Sequence, residues 1–239
     1  MRKDLSLLIV VPAYNSVNTL PMVISELEAK YKKYVLVVDD GSNDETFSVA
    51  KDLGLEVIRH SVNKGCGAAQ KTGFQRAIDQ KVDAVVILHA DDQYDPAVIP
   101  ELTDVFVNEG CDIVLASRML NPQWALQGGM PYWKFLCNKF STSLLNFAAK
   151  SKLTEFHTGY RLYSRRALER LSFNSYSDDH ALDIEILLHA FVCKMRIKEI
   201  PIRSRYFKAA SSMGIKECIK YGMDIMQILF TYKRTAGNP

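Results

Sequence analysis

The first half of the chain alternates short, mostly apolar runs with segments of helical periodicity. The runs are rich in β-branched residues, as is typical of parallel strands that are buried on both faces. They occupy residues 7–11, 34–38, 55–59, 84–88 and 112–117. Strands that alternate with helices at this spacing predict βαβ units and a mainly parallel sheet. We therefore expect an α/β fold, a Rossmann-like αβα sandwich.

Helical periodicity marks several of the remaining segments. The positions that share one face of the first predicted helix, which begins near Thr19, are Leu20, Ile24, Leu27 and Tyr31. Aromatic residues accumulate in residues 124–149, where part of the pattern again has helical spacing. We expect a main domain over residues 1–212, whose character changes near residue 120, and a C-terminal amphipathic helix over residues 213–239.

Composition narrows the function classes. Hydrophobic residues make up 48% of the 239 residues and charged residues 24%, which excludes a disordered tail or a fibre. A formal net charge of +3 does not favour a nucleic-acid partner. The five cysteines form no C-x-x-C pair, so we expect a reducing compartment and neither a disulfide framework nor a zinc ribbon. No apolar run reaches the roughly 18–20 residues of a membrane span.

Polar side chains follow four of the predicted strands directly. They are Asn15, the Asp39-Asp40 pair, the cluster at residues 89–93 and Arg118. In open α/β sheets ligands bind beyond the carboxyl ends of the strands. The sequence therefore predicts one binding site that is built from these four groups.

The cluster His89-Ala90-Asp91-Asp92-Gln93 offers oxygen ligands at a strand end. Such ligands suit Mg²⁺ or Mn²⁺, and a metal there can offset the charge that develops on a leaving diphosphate. The alternative is a solvated turn before a helix that begins near residue 96.

Asp39 and Asp40 are acceptor-only side chains that could bind a base N–H or a ribose hydroxyl. The alternative is helix capping by Ser42 or Asp44. Residues 65–67 (Gly-x-Gly) do not form a dinucleotide fingerprint, and the chain has no P-loop. We expect them to form a tight loop that lets a ligand or backbone approach closely.

Basic residues fall in two places. Arg118 follows the fifth run, and the second group is Arg203, Arg205 and Lys208. Guanidinium groups suit bidentate recognition of phosphate, although solvated surface charge is the alternative.

Four carboxylates gather around a predicted helix start: Asp178, Asp179, Asp183 and Glu185. Asp179 or Asp183 could act as a general base, but acidic residues are also common in a first helical turn. Three histidines have the spacing of neither a zinc site nor a catalytic triad, and we predict structural or surface positions for them: His157, His180 and His189.

Taken in order, the motifs resemble the inverting glycosyltransferase family 2, with its GT-A nucleotide-sugar-binding fold. Within that family the chain is similar to the polyprenyl-phosphate sugar synthases, typified by dolichyl-phosphate mannose synthase. The motifs are Val11-Pro12-Ala13-Tyr14-Asn15, Val38-Asp39-Asp40-Gly41-Ser42, Asn63-x-Gly65-x-Gly67, His89-Ala90-Asp91-Asp92-Gln93, Ser117-Arg118 and Thr158-Gly159-Tyr160-Arg161.

The resemblance implies roles by position, with a nucleotide-binding half over about residues 1–120 and an acceptor half over about 121–212. Nucleotide-binding positions would be Pro12, Ala13, Tyr14, Asn15, Asp39, Asp40, Lys64, Ala90 and Asp91. The metal, Mg²⁺ or Mn²⁺, would be held by Asp91, Gln93 and His89. Phosphates would contact Arg118 and Arg205, and the catalytic residues would be Asp91, Arg118 and Asp183.

The chain departs from the family pattern in three ways. His89 stands where the first aspartate of the D-x-D motif is usual, which removes one negative charge from the metal site. Ser16 replaces a frequent glutamate after the first motif. Many of the synthases carry membrane helices after the catalytic domain, and this sequence has none.

The resemblance implies a metal-dependent inverting transfer of a sugar from a GDP- or UDP-sugar to a dolichyl or undecaprenyl phosphate. The alternatives are a saccharide acceptor, a degenerate nucleotide-sugar-binding protein, or a nucleotidyltransferase, whose early Gly-rich loop is missing here.

Residues 124–149 would include an interface helix where the lipid enters, or else a lid on the core. We expect a cytoplasmic protein, peripheral on the inner face of the membrane. Its partners would be the membrane surface or an integral membrane protein. A second copy of this chain, forming a homodimer, is a further expected partner.

Overall fold

A computed structural model describes residues 5–206 and 215–236, with side chains in the last helix described at 221–230 and 232. The strands are β1 (Leu7–Ala13), β2 (Val35–Asp39), β3 (Glu56–Arg59), β4 (Ala84–Ile87), β5 (Ile113–Ser117), β6 (Arg161–Ser164) and β7 (Ile197–Pro201). The helices are α1 (Leu20–Glu26), α2 (Ala29–Lys32), α3 (Thr46–Asp52), α4 (Cys66–Asp79), α5 (Ile99–Glu109), α6 (Pro122–Gln127), α7 (Tyr132–Ala149), α8 (Arg165–Arg170), α9 (Leu182–Val192) and α10 (Ile215–Ala236).

The strands form one seven-stranded sheet in the order β3-β2-β1-β4-β6-β5-β7. All neighbours are parallel except β6, which pairs antiparallel with both β4 and β5. The first five strands were predicted from the apolar runs, and their parallel pairing confirms the α/β expectation. Their carboxyl ends therefore meet at one edge of the sheet.

Two apolar layers cover the two faces of the sheet. Leu8 and Val10 of β1 pack in the layer that includes α4, α8 and α9. Ile9 and Val11 pack in the opposite layer with α1 and α5. Every residue of β1 is buried, which explains why its sequence is continuously apolar rather than alternating.

The single helix predicted from Leu20 to Tyr31 is wrong. Leu27 has extended backbone angles (φ −67°, ψ 132°) and divides the segment into α1 and α2. Its side chain stays buried in the layer beside β1. Packing of this side chain therefore outweighs the helical periodicity of the sequence.

Arg161 is a fully buried cation at the start of β6. Its guanidinium donates to the carbonyls of Thr158 (2.6 Å), Phe156 (2.7 Å) and Asp183 (2.7 Å). The carboxylate of Asp183 lies 3.6 Å away and supplies the countercharge. One side chain thus holds the turn before β6 against the start of α9.

Replacing Arg161 by Met should lower the free energy of unfolding by about 3–5 kcal/mol, because the carbonyls lose their donor and the Asp183 charge loses its partner. Urea denaturation followed by circular dichroism measures this. The matched control is Arg165→Met, which removes a partly exposed pair with Glu169 (4.0 Å) and should cost less than about 1 kcal/mol. Equal losses in the two variants would contradict the role given to Arg161.

Candidate active site

A cavity of about 400 Å³ opens at the carboxyl edge of the sheet. Its volume is within the range usual for small-molecule sites. Polar side chains from strand ends, loops and the first turn of α9 line part of it: His89, Asp91, Gln93, Arg118, His157 and Asp183. Apolar side chains from α7 and α10 line the rest, among them Trp133, Phe140, Leu144, Ile225 and Met226. The structure therefore brings His89, Asp91, Gln93, Arg118 and Asp183 to one cavity, whereas Asn15 and the Asp39-Asp40 pair, which the sequence predicted in the same site, are not part of its lining.

The ends of β1 and β2 form a second, neighbouring part of the edge. Pro12 and Ala13 are buried within β1, and Tyr14 just beyond them is 44% exposed. The backbone N–H of Asn15 donates to Ser42 Oγ (2.9 Å), and Asn15 Oδ1 accepts from the N–H of Asn43 (2.9 Å). These bonds hold the two strand-end loops together and leave Tyr14 on the surface.

The two aspartates of this edge have different surroundings. Asp39 is fully buried, accepts from the N–H of Ser42 (3.0 Å) and pairs with Arg59 Nε (3.1 Å). Asp40 accepts from the backbone N–H groups of Lys64 (3.0 Å) and Gly65 (2.8 Å).

Asp40 Oδ1 also lies 2.6 Å from His60 Nδ1. Asp40 therefore fixes the loop before α4, in which the Lys64 side chain is exposed. Asp44 Oδ1 accepts from the N–H of Thr46 (3.0 Å) at the start of α3, but the N-cap residue of that helix is Glu45, which makes no side-chain capping bond.

The glycine loop, residues 63–67 at the start of α4, packs against the backbone of the segment that precedes α9. Gly65 has φ +106°, and a Cβ there would collide with the carbonyl of Asp178. The N–H of Ala68 donates to that same carbonyl (3.0 Å). The close approach predicted for this loop is thus made by the segment that precedes α9.

His89 and Asp91 lie side by side at the end of β4. Burial raises the pKa of Asp91, while the His89 ring and the N–H of Gln93, which donates to Asp91 Oδ1 (3.1 Å), oppose that rise. Burial lowers the pKa of His89, so its imidazole is neutral at pH 7. His89 Nε2 is buried and has no hydrogen-bond partner among the described residues. Gly159 lies against this nitrogen, where a Cβ would collide with it.

Arg118 is paired with a carboxylate that the sequence analysis missed. Its Nε donates to Glu155 Oε1 (2.9 Å), its Nη2 contacts the same oxygen, and its backbone N–H donates to Oε2 (2.9 Å). Asn138 Nδ2 donates to Glu155 Oε1 as well (2.8 Å), and Arg118 Nη1 donates to Tyr206 Oη (2.9 Å).

Burial alone would raise the pKa of Glu155, but the Arg118 charge and these hydrogen bonds lower it. An arginine at a buried strand end requires a countercharge, and that requirement is the signal that could have pointed to Glu155.

Arg205 lies outside the cavity lining. Its Nη1 pairs with Glu26 (2.8 and 3.0 Å) and lies 3.4 Å from Asp92 Oδ1. The neighbouring predicted cation, Lys208, falls outside the described residues. Contact of Arg205 with a phosphate would require the Glu26 pair to open.

Asp183 lines the cavity at the first turn of α9. It is buried, and its Oδ1 accepts no hydrogen bond from the described part of the chain. Its charge is balanced by Arg161 at 3.6 Å. The structure therefore leaves an oxygen of Asp183 available for a ligand in the cavity.

His157 and His180 both line the cavity, and His180 does so from the exposed position that the sequence predicted. His157 Nε2 lies 2.6 Å from Ser141 Oγ of α7, and its Nδ1 lies 3.0 Å from Tyr221 Oη of α10. Burial lowers the pKa of His157 to about 4, so the ring is neutral and joins the two helices. These contacts agree with the structural position predicted for His157.

Two helices at the cavity expose apolar side chains. The exposed residues are Tyr132, Trp133, Leu136, Phe140 and Phe147 of α7 and Met223, Met226 and Phe230 of α10. The other side of α7 is buried through Phe135, Asn138, Thr142 and Leu145. Both predicted roles of this segment, a lid on the core and a helix at the membrane interface, are therefore compatible with the position of α7. Among the described helices, none is long and apolar enough to cross a membrane.

Comparison with known proteins identifies the family. The family model for glycosyl transferase family 2 matches residues 8–172. The UDP-N-acetylglucosamine–dolichyl-phosphate N-acetylglucosaminyltransferase of Methanococcus voltae is 27% identical over 91% of this chain and 93% of its own length. The polyprenol monophosphomannose synthase of Mycolicibacterium smegmatis is 27% identical over 82% of this chain and 76% of its own length.

A solved structure shares the fold. Glucosyl-3-phosphoglycerate synthase from Mycobacterium tuberculosis, crystallised with Mn²⁺, uridine diphosphate and phosphoglyceric acid, has a TM-score of 0.73 at 19% identity. The match covers 99% of this chain and 80% of that one. The sheet is therefore that of GT-A glycosyltransferases, and since the family match spans well over half of the sequence, the chain belongs to glycosyltransferase family 2.

Proposed function

We propose that this glycosyltransferase moves a sugar, with inversion, from a nucleotide sugar to a polyprenyl phosphate. The observation that carries the proposal is the mixed lining of one cavity. Asp91 and Arg118 line it together with Trp133 and Met226, which belong to the helices that expose apolar side chains. A phosphate on a long apolar chain requires both kinds of surface. The names of the two relatives above support this acceptor class.

The donor nucleoside would bind at the ends of β1 and β2. Tyr14 is exposed there, while Pro12 and Ala13 are buried beneath it. Asp40 would act by holding the Lys64–Gly65 backbone in place, because its carboxylate already accepts two N–H groups of that loop. Asp39 still has acceptor capacity at Oδ2, but it is fully buried beside Arg59, so direct recognition of the nucleoside by Asp39 would require this pair to open.

The residues at the end of β4 fit a divalent cation. His89 presents a buried nitrogen that lacks a partner in the described ranges, Asp91 is a carboxylate in the cavity wall, and Gln93 adds an amide beside them. We propose that these three side chains hold Mg²⁺ or Mn²⁺, which would offset charge on the leaving diphosphate. A neutral imidazole favours Mn²⁺ over Mg²⁺ in this set.

Arg118 would orient phosphate oxygens in the cavity rather than add net charge. Its guanidinium is already neutralised by Glu155, and its Nη1 reaches Tyr206. The acceptor phosphate is anionic and can attack C1 of the sugar without a protein base.

The second candidate function is transfer to a saccharide hydroxyl. Asp183 lines the cavity and has a buried oxygen that accepts no hydrogen bond from the described residues. This oxygen favours the second candidate, because a hydroxyl nucleophile needs a base within reach of the cavity.

The exposed apolar side chains support a peripheral position at a membrane surface, which the proposed function places on the inner face. Lys134 and Lys139 lie among them on α7, with Lys134 Nζ 5.4 Å from the centre of the Trp133 ring. Aromatic and cationic side chains together suit the interface of an anionic bilayer.

Asp91→Ala should lower transfer about 10²–10³-fold while the fold stays intact, because the cation and the leaving diphosphate lose a ligand. Transfer of radiolabelled sugar from UDP- and GDP-sugars to undecaprenyl or dolichyl phosphate measures this. The control is Asp104→Ala on the exposed side of α5, which should leave the rate unchanged. Full activity in Asp91→Ala would overturn the metal role.

The same assay separates the two acceptor classes through Asp183→Asn. Because Asp183→Asn also removes the countercharge of Arg161, both rates are measured at a temperature where circular dichroism shows that the variant is folded. Transfer to a polyprenyl phosphate should then fall far less than transfer to a saccharide, since the phosphate needs no base. Transfer that occurs only to saccharides and disappears in Asp183→Asn would establish the second candidate instead.

Glu155→Gln should lower the free energy of unfolding at pH 7 by about 3–5 kcal/mol, because Arg118 keeps a buried charge without its partner. The pKa of Glu155 is lower in the folded than in the unfolded chain, so its stabilisation is complete above about pH 4.3 and is lost as the pH falls further. Urea unfolding at several pH values should show the difference between wild type and variant shrinking in acid. A difference that does not change with pH would contradict this assignment.

Replacing Phe140 and Phe147 together by Ser should reduce co-sedimentation with anionic liposomes at least about fivefold and raise KM for the lipid acceptor, because about half the apolar face of α7 is lost. The control is Val107→Ser, an exposed apolar residue on α5. Unchanged liposome binding by the double variant would count against the membrane-facing role of α7.

A further inference from the structure

Two segments that are far apart in the sequence meet in a rigid junction beside the cavity. The loop before α4 packs on residues 178–180 through the contact of Gly65 with Asp178. The N–H of Ala68 donates to the Asp178 carbonyl at 3.0 Å. From the other side, Asp40 holds the N–H groups of Lys64 and Gly65. The junction therefore sets the backbone positions of the residues that follow it on both segments.

Three potential metal ligands converge at this junction. Cys66 Sγ lies 3.3 Å from His180 Nδ1 and 3.9 Å from Asp179 Oδ1. His180 Nε2 lies 3.7 Å from Asp179 Oδ1. The ligand atoms of the three residues all fall within 4.8 Å of one another. Ligand atoms around a tetrahedral Zn²⁺ ion are about 3.3–3.8 Å apart, given bond lengths of about 2.0–2.3 Å. The 3.3 Å and 3.7 Å distances involve different nitrogens of the His180 ring, of which only one can bind the ion, so the widest pair must close by up to about 1 Å. Rotation of the exposed Asp179 and His180 side chains can supply this movement.

The chemistry of the three ligands selects the metal. A thiolate and an imidazole favour Zn²⁺, whereas Mg²⁺ and Mn²⁺ prefer oxygen ligands. Three protein ligands leave one position for water, as in open zinc sites.

A thiol, an imidazole and a carboxylate in contact could also form a nucleophilic triad. Burial and the charges of Asp183 and Asp179 raise the pKa of the Cys66 thiol, so it is protonated at neutral pH and is a poor nucleophile. The same two carboxylates that keep the thiol protonated attract a cation to this place. When Zn²⁺ binds, the thiol proton is released to solvent.

We propose that Cys66, Asp179 and His180 form a Zn²⁺ site that is separate from the cation site at Asp91. The bound ion would link the glycine loop to the segment that begins α9. Because His180 also lines the cavity, the ion would lie at the cavity wall. This inference does not depend on the acceptor or on the transfer reaction.

Co²⁺ is the probe for the site, because a thiolate ligand gives cobalt a charge-transfer band in the near ultraviolet. The reduced full-length protein should bind about one Co²⁺ with this band, and Zn²⁺ should abolish the band by displacement. Cys66→Ser should lose the band, while Cys193→Ser and Asp91→Ala should keep it. His180→Ala and Asp179→Asn should each weaken binding at least about tenfold.

A second measurement tests the site without replacing the thiol. Zn²⁺ should slow alkylation of Cys66 at least about tenfold in wild type, as read by peptide mass spectrometry, and should have no such effect in His180→Ala. The exposed position of His180 makes that variant tolerant of substitution. A cobalt band that survives in Cys66→Ser, the absence of a band in wild type, or equal protection of Cys66 in both proteins would overturn the proposal.

Discussion

The buried guanidinium of Arg161 is the contact on which the arrangement of the site depends. It lies on β6, the antiparallel strand between β4 and β5, and donates to carbonyls of the turn before β6 and of α9. That turn carries Glu155, His157 and Gly159, and α9 carries Asp183. One buried cation thus sets the position of groups that would otherwise belong to independent loops.

Charges inside this site are compensated in pairs. Arg118 is neutralised by Glu155, and Arg161 by Asp183. Desolvating an unpaired charge costs several kcal/mol, so each buried arginine here has a carboxylate beside it. Under the proposed function, attraction for a diphosphate would then come from oriented N–H groups and from a bound cation rather than from the net charge of the arginines.

Helix α7 connects the exposed apolar surface with this buried network. Its Asn138 donates to Glu155, and its Ser141 contacts His157, which in turn contacts Tyr221 of α10. Leu136 lies two residues before Asn138, and Phe140 lies directly before Ser141; both side chains are exposed. A surface that contacts lipid and a cavity that holds phosphate can therefore be built from the two faces of one helix. This arrangement supports an acceptor that has an apolar and an anionic part.

The sequence alone determined the first five strands and the edge of the sheet at which the site lies, whereas β6 and β7 were not predicted. Continuous apolar runs such as 7–11 are buried on both faces, and local periodicity reports this directly. The positions of Asp91 and Arg118 followed, because they come immediately after such runs and parallel strands end at one edge.

Only the tertiary structure decided which partners these residues have. Glu155 and His157 lie in a segment without periodicity, and the junction of Cys66 with His180 joins residues 114 positions apart. Such contacts depend on where β6 inserts and how α9 packs, and these are set by long-range burial and charge pairing. Local sequence patterns do not encode that information, because they record only what each residue's own element requires.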